Sequence, residues 1–310
     1  MSDLAYALSE EQQNIAAEYI PPYPQNTSDL PDYLKPSKAG LYVDEATYWD
    51  QYYESDDFRY EWNNGILEVK DMPTFFCRFC NEWFYRLIMQ FLDAFPIAYV
   101  FTYDLGFKMT LPQKTAIRLP DVSIILKNNP KQFQLKEKSY KGIFDICIEF
   151  VSHSKLQYIL NDIVKKKREY SQANVKEYYV IDSEKKHTAF YRLNTTGRYV
   201  KIRSQKGVIR SSVLTGFQFK IEDIYNQPDF NAIMTDPVYQ SYVKLDLQKK
   251  NAALQEKNAA LIEKDAALKE KDAMIKEKDT LINALLEEAG DDIKNNKRIK
   301  QLLFEKGIIL

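Results

Sequence analysis

The chain has 310 residues, of which 14% are aromatic and only nine are glycine, a composition typical of a packed globular body and not of a disordered chain. Three cysteines argue against a secreted disulfide framework, and the lack of an apolar run of about 18 to 20 residues argues against a membrane span, so we expect a cytoplasmic protein. Lys and Arg outnumber Asp and Glu by 25 to 16 in residues 73–242, whereas residues 1–72 hold 4 against 15. A basic body suits a polyanionic partner, although a merely solvated surface explains it equally well.

The N-terminal third is expected to contain an arm, a helix and a hairpin. Residues 1–40 are polar and bear several prolines, which predicts an extended arm. Residues 44–53 predict a short helix. Residues 59–69 predict a β-hairpin, because the pair Asn64-Gly65 supplies the positive φ angles of a tight turn.

Residues 74–94 carry apolar side chains at helical spacing, which predicts a helix packed on a sheet. Cys77 and Cys80 form a lone CxxC pair within it. A structural zinc site needs four ligands, and few other cysteines or histidines remain to complete one. We therefore interpret the pair as two small apolar residues one helical turn apart.

The middle of the chain alternates between strands and a helix. Residues 97–103, 117–126 and 143–151 predict strands, and the last is almost continuously apolar, as expected for a central strand covered on both faces. A charged helix over 156–172 follows, then strands at 177–182 and 188–193 and further strands up to about residue 219. The fold class is therefore α+β with a central βαβ crossover.

A seven-residue repeat begins near Val243 and predicts a long coiled-coil helix. The apolar residues that recur every seven positions are Leu254, Leu261, Leu268, Ile275 and Ile282. The neighbouring core positions are polar, so register and strand number stay open, and a solvated single helix is the alternative. We expect a homo-oligomer, with a dimer favoured. The domains expected are an arm over 1–40, a body over 41–225, a linker over 226–242, a coiled coil over 243–290 and a helical segment over 291–310.

Two acidic residues stand beside predicted strands, where a carboxylate is costly unless it is paired or binds a metal. Asp121 follows Pro120 at the start of a strand, and Glu149 lies near the end of the central strand, 28 residues later. Carboxylates from adjacent strands can hold one hard divalent cation, with a backbone carbonyl and waters completing the shell. A structural carboxylate at a strand end is the alternative for either residue alone.

Several short motifs, taken in order, resemble those of a known family. They are Pro120-Asp121, Glu149-x-x-Ser152, Asp162-x3-Lys166-x3-Tyr170 and the strand that begins Glu177-Tyr178-Tyr179. Together they resemble the Uma-two family, a restriction-endonuclease family within the PD-(D/E)xK superfamily, and Tyr60-Glu61 with Gly65 resembles the family's N-terminal hairpin. The resemblance covers about residues 41–225. It implies a restriction-endonuclease-like central mixed β-sheet flanked by helices.

The resemblance also implies roles for individual residues. Asp121 and Glu149 would bind Mg²⁺ or Mn²⁺, with the carbonyl of Phe150 as a third ligand. The superfamily's lysine position holds Val151 here, so the catalytic ammonium would come from Lys166 on the next helix, with Lys165 and Lys167 as rivals. Glu61 would add a contact at the metal site, or would be an exposed hairpin carboxylate. His153 and Asn174 replace the usual proline and glycine, and Asn174 still tolerates a left-handed turn.

The leading functional hypothesis is a metal-dependent endonuclease that cleaves DNA, with the dimer bringing two active sites to one duplex. The alternative is a catalytically inactive nuclease-like module that binds nucleic acid or protein and is assembled by the coiled coil. The intact acids and a candidate lysine favour the enzyme. Val151 in the usual lysine position favours the binding module.

Overall fold

The computed structural model describes residues 37–55, 57–70, 72–102, 105–288 and 296–305. The arm expected over residues 1–40 lies outside these ranges except for its last four residues. The described chain forms two compact units, of which the first ends at Val243 and the second begins at Lys244.

A four-stranded antiparallel sheet with the order β2-β1-β5-β4 forms one side of the first unit. Its strands are β1 (Tyr60–Asn63), β2 (Ile66–Val69), β4 (Phe107–Thr110) and β5 (Thr115–Arg118). The predicted hairpin is confirmed, with φ values of 49° at Asn64 and 97° at Gly65. The predicted helix near residue 48 is also found, as a short helix α1 (Glu45–Thr47) that continues as a π-helical turn (Tyr48–Tyr52).

A six-stranded mixed sheet with the order β10-β9-β8-β7-β6-β3 forms the centre. Its strands are β3 (Ala98–Thr102), β6 (Val122–Leu126), β7 (Ile146–Val151), β8 (Glu177–Asp182), β9 (Ala189–Leu193) and β10 (Tyr199–Lys201). Strands β7 and β8 are parallel and fully buried, as near-continuous apolar runs predict. The segment between them is the expected βαβ crossover, so the α+β class and the central mixed sheet are confirmed.

The prediction of one strand over residues 117–126 is wrong, because the chain leaves one sheet and enters the other within it. Strand β5 ends at Arg118 and pairs with β1 and β4, whereas β6 begins at Val122 and pairs with β3 and β7. Pro120 lies between them and has no N–H to donate to a ladder. The break sets Asp121 at the point where the two sheets meet.

Two helical segments flank the central sheet. Helix α2 (Phe75–Ala94) confirms the predicted helix over 74–94 and buries one face, including Phe84 and Ile88. The crossover consists of α3 (Leu156–Leu160), a π-helical turn (Asn161–Lys166) and α4 (Lys167–Gln172). The helical spacing of the sequence predicts an uninterrupted α-helix there. The π-helical turn changes which side chains of this segment face the sheet, and such turns are frequent at functional sites.

The segment expected as a linker over 226–242 is packed against the body. A hairpin of β11 (Val208–Arg210) and β12 (Gln218–Lys220) leads into helices α5 (Ile221–Asn226) and α6 (Phe230–Thr235). Tyr239 and Tyr242 then follow with no exposed surface, and the ring of Tyr242 lies 5.4 Å from that of Phe91 on α2. The end of the first unit is therefore anchored by aromatic packing.

The second unit is built on a long helix, α7 (Gln240–Glu288), which begins at the end of the first unit, and α8 (Lys297–Glu305) follows. The expected long C-terminal helix is thus confirmed. The repeated apolar residues Leu254, Leu261, Leu268 and Ile275 are each more than half exposed in the single chain. None of the described helices has an apolar stretch long enough to cross a membrane.

Candidate active site

A small cavity of about 40 Å³ lies where the two sheets and the crossover helix meet. The loop between β5 and β6, the end of β7, the residue after β2 and the π-helical turn all contribute to its wall. The charged residues that line it are Glu61, Lys70, Asp121, Glu149, Asp162 and Lys166, and Phe150 and Ser152 line it as well. The five residues to which the resemblance assigns a metal or catalytic role all border this one cavity; they are Glu61, Asp121, Glu149, Phe150 and Lys166.

Asp121 is held between the two sheets by its two carboxylate oxygens. The backbone N–H of Phe150 donates to Oδ2 over 2.8 Å, and the ammonium of Lys70 donates to Oδ1 over 2.8 Å. The first contact ties the inter-sheet loop to the end of β7.

Glu149 projects from the buried end of β7 and is 1% exposed. The hydroxyl of Tyr170 donates to Oε1 over 2.7 Å, and Oε2 lies 3.0 Å from Nζ of Lys166. Burial raises the pKa of Glu149 well above its ordinary value, and the nearby Lys166 ammonium only partly offsets this effect. The carboxylate thus lies where added positive charge would stabilise its ionised form.

Lys166 joins three acids in one buried cluster. Its Nζ lies 3.0 Å from Oε2 of Glu149, 3.0 Å from Oδ1 of Asp162 and 3.4 Å from Oε1 of Glu61. Burial disfavours the charged amine, but the surrounding carboxylates raise its pKa well above the ordinary value, so Lys166 is an ammonium ion at neutral pH.

The two rival lysines point elsewhere. Lys165 forms an ion pair with Glu68 at the edge of the hairpin. Lys167 places its ammonium 4.0 Å from the centroid of the Tyr191 ring. Of these three consecutive lysines, Lys166 alone lines the cavity.

Glu61 is buried, so the alternative of an exposed hairpin carboxylate is wrong. It is 1% exposed, and its Oε1 accepts a hydrogen bond from the backbone N–H of Leu119 over 3.0 Å. Burial alone would raise its pKa, yet the charges of Lys166 and Arg118 hold the pKa below its ordinary value. Glu61 therefore remains ionised beside Lys166 and links the hairpin to the cavity.

Two cations of this region were not found by sequence reasoning. Lys70, the residue after β2, donates to Asp121 and to the carbonyl of Leu119. Arg118 is completely buried and binds three carboxylates. Those carboxylates are Glu61, Glu68 and Glu169. The sequence contains one indication that Arg118 is buried, because it is a single arginine within the apolar run Ala116-Ile117-Arg118-Leu119.

Four other residues singled out from the sequence have roles in the fold. His153 lies 2.6 Å from Oδ1 of Asp182 and does not line the cavity. Asn174 has φ 65°, so the left-handed turn expected there is confirmed. Cys77 borders the cavity from α2, and burial raises its pKa to about 12, which keeps its thiol protonated. Both Cys77 and Cys80 are buried and free.

The donor set of the cavity suits a hard divalent cation. Four carboxylates, those of Glu61, Asp121, Glu149 and Asp162, line it together with the two ammonium groups of Lys70 and Lys166. Of the four, Glu61 is also paired with Arg118. Burial and the excess of negative charge raise the pKa of Asp162 as well as that of Glu149. Within the described part of the chain, no three Asp, Glu, His or Cys side chains are already grouped as a metal site. Two carboxylates with one carbonyl and waters would nevertheless make an oxygen shell of the kind that Mg²⁺ accepts.

The body of the chain matches the model of a known protein family. The model of the Uma2 family, described as "Putative restriction endonuclease", matches residues 46–222, which is more than half of the chain. A solved structure described as a putative nuclease belonging to DUF820, from Anabaena variabilis, is 13% identical. It aligns over 54% of this chain and 90% of that chain with a TM-score of 0.44. No curated protein matches the chain.

Proposed function

The chain belongs to the Uma2 family, and from that premise we propose that it is a metal-dependent endonuclease that hydrolyses phosphodiester bonds of DNA. The observation that carries the proposal is the meeting of Asp121, Glu149 and Lys166 at one cavity, with Lys166 Nζ 3.0 Å from Glu149 Oε2. Acids and an ammonium at one cavity form a site and not only a fold. The buried, unpaired cysteines fit a reducing, cytoplasmic setting.

Asp121, Glu149 and the carbonyl of Phe150 would hold Mg²⁺ or Mn²⁺. Such a cation supplies a water of lowered pKa and offsets charge that develops on the phosphate. Lys166 donates hydrogen bonds to the attacking water and stabilises negative charge on the phosphate oxygens. Tyr170 fixes the orientation of Glu149 through its hydroxyl, and Glu61 and Asp162 keep Lys166 charged and in place.

The repeat in helix α7 supports an oligomer, with a parallel dimer as the favoured form. Leucines at seven-residue spacing leave an apolar stripe exposed on the single chain, and a second copy of the helix would cover it. A parallel dimer would bring two active sites to one duplex and permit cleavage of both strands.

A catalytically inactive module that binds nucleic acid or protein is the second candidate. Val151 stands at the superfamily's lysine position, and it is buried in the core. Lys70 and Lys166 also already neutralise part of the charge on the proposed ligands. A protein that uses the cavity only to stabilise the sheet junction would retain both features.

Cleavage of plasmid and single-stranded DNA with Mg²⁺ or Mn²⁺ tests the proposal. The intact protein is compared with Asp121→Asn and Glu149→Gln, which keep side-chain size. The control is Glu54→Gln, which changes an exposed carboxylate that does not line the cavity. We expect metal-dependent cutting that only the first two substitutions abolish. If all four proteins leave every substrate intact but bind DNA, the binding module is the better account.

A further inference from the structure

The excess positive charge of the body is concentrated in one stretch of sequence. Residues 185–221 contain nine Lys and Arg residues and no Asp or Glu. This stretch runs through β9, β10, β11 and β12, at one edge of the central sheet and the hairpin beside it. The surplus therefore belongs to one part of the fold.

Three of these nine cations form ion pairs with acids of the described residues. Lys185, Lys186 and Lys220 form ion pairs with Glu222, Glu184 and Asp236. The other six are Arg192, Arg198, Lys201, Arg203, Lys206 and Arg210, all exposed. Within the described ranges, no Asp or Glu forms an ion pair with any of these six. Like charges held close together repel each other, so an anionic partner would stabilise this arrangement.

Four of the six line a single groove of about 610 Å³, which we call the cationic groove. They are Arg192 on β9, Lys201 on β10, Arg203 just after β10, and Arg210 on β11. Gln205 lies between them and accepts a hydrogen bond from Arg210 over 3.0 Å. The remaining lining residues are the aliphatic Val200, Ile202 and Val208. No aromatic side chain of the described residues lines the groove, so these residues offer charge and hydrogen-bond donors but no surface on which a base could stack.

We propose that the cationic groove binds the phosphate backbone of the nucleic acid whose cleavage is proposed above, an inference that rests on that function. Three of the four cations are arginines, whose planar guanidinium groups match the geometry of phosphate oxygens. Without a stacking surface, the groove recognises the backbone and contributes affinity without sequence preference. A basic, open groove on a rigid strand edge suits a polymer of phosphates.

The distance between the groove and the candidate active site supports a polymeric ligand. Three strand spacings separate β10 from β7, which carries Glu149, in the same sheet. At about 4.8 Å per spacing, the lateral separation is roughly 14 Å. A DNA strand advances about 3.4 Å per nucleotide, so the groove would contact phosphates at least about four nucleotides from the scissile bond. A mononucleotide would be too short to contact both the groove and the candidate active site.

The test measures binding and not cleavage. A fluorescein-labelled 25-base-pair duplex is titrated with the full chain in EDTA, over a series of salt concentrations, with anisotropy as the readout. The groove variant is Arg192→Ala with Arg203→Ala, and the matched control is Lys131→Ala with Lys136→Ala, two exposed lysines outside the groove. Each pair removes two positive charges. Circular dichroism checks that all three proteins are folded.

We expect the groove variant to bind about 10- to 100-fold more weakly than the intact chain near 0.1 M salt. The slope of log K against log salt should fall in magnitude by about two, since each lost phosphate contact removes about 0.9. The control pair should bind as the intact chain does. Equal affinities for the groove and control variants would overturn the proposal, as would an intact chain that does not bind DNA. A third outcome is that the chain binds vesicles of equal phosphatidylglycerol and phosphatidylcholine through the groove and does not bind DNA. This outcome would assign the groove to a membrane surface and would also overturn the proposal.

The two proposals fail in different ways. DNA that is bound through the groove but never cut with Mg²⁺ or Mn²⁺ would contradict the endonuclease and support the groove. DNA that is cut at Asp121 and Glu149 while the groove variant binds as tightly as the control would contradict the groove alone.

Discussion

The ammonium of Lys166 lies 3.0 Å from Oε2 of Glu149, and both side chains are buried where strand β7 ends and the crossover helix begins its π-helical turn. The two residues lie on different elements of the chain, strand β7 and the π-helical turn, and the βαβ crossover brings them together. Their contact gives the candidate site a fixed positive charge that does not depend on a lysine within β7 itself.

Replacing Lys166 should destabilise the protein far more than replacing its neighbour. Lys166→Met leaves Glu61, Glu149 and Asp162 buried without their shared ammonium, and breaking a buried ion pair from one side costs about 3–5 kcal/mol. Lys165→Met removes a partly exposed pair with Glu68, worth about 0–1 kcal/mol. Urea unfolding measures the difference in the free energy of unfolding. Equal losses for the two variants would contradict the buried cluster.

Removing Lys70 should tighten the binding of a divalent cation. Its ammonium donates to Oδ1 of Asp121 over 2.8 Å and therefore competes with a metal for that carboxylate. Like charges a few ångströms apart repel by roughly 2–4 kcal/mol at an effective dielectric constant near 20, so Lys70→Met should raise the affinity for Mn²⁺ by about tenfold or more. Isothermal titration calorimetry measures the affinity for Mn²⁺. Lys108→Met, on an exposed lysine paired with Glu45, is the control and should leave the affinity unchanged.

Tyr170→Phe should weaken metal binding without disturbing the fold. The substitution removes only the hydroxyl that donates to Oε1 of Glu149 over 2.7 Å, and losing such an outer contact typically costs 10- to 100-fold in metal affinity. Tyr178→Phe is the matched control, because its hydroxyl donates to the backbone carbonyl of Asp162. If both variants bind Mn²⁺ as tightly as the intact chain, the Tyr170 hydroxyl does not orient a metal ligand.

Stability should fall in acid partly through Glu68. Burial raises the pKa of this carboxyl, but Arg118 and Lys165 outweigh burial and lower the pKa to about 2 from an ordinary value of 4.5. A folded-state pKa below the unfolded one adds stability that is fully present above pH 4.5 and is lost as the pH falls towards 2. Urea unfolding of Glu68→Gln between pH 6 and pH 2 should show a shallower decline than the intact chain. An equal decline of the free energy of unfolding in the two proteins would contradict the low pKa of Glu68.

The state of association should depend on the leucines of helix α7. Leu261 and Leu268 are more than half exposed in the single chain, so a partner helix would bury them. We expect the intact chain to have twice the mass of the 36.4 kDa monomer by light scattering, and Leu261→Asn with Leu268→Asn to be monomeric. Glu263→Asn with Glu270→Asn, on the opposite face of the helix, should leave the mass unchanged. An intact chain of monomer mass would contradict the coiled coil.

Local features of the sequence determined much of the fold. The hairpin follows from Asn64-Gly65, because positive φ angles at two successive residues are a property of those residues alone. Helix α2 and the buried strand β7 follow from apolar periodicity, since burying one face or both faces of an element is set by spacing along the chain. The position of Asp121 and Glu149 at one cavity also followed from the sequence, through the resemblance carried by the ordered motifs.

Only the tertiary structure decided which charged groups face one another. It divided residues 117–126 between two sheets, buried Arg118 and Glu61, and placed Lys166, and neither Lys165 nor Lys167, at the cavity. These outcomes depend on contacts between residues far apart in sequence and on a π-helical turn that apolar periodicity does not encode. A buried charge is stable only beside its partners, and those partners are assembled by the meeting of the two sheets and the crossover helix.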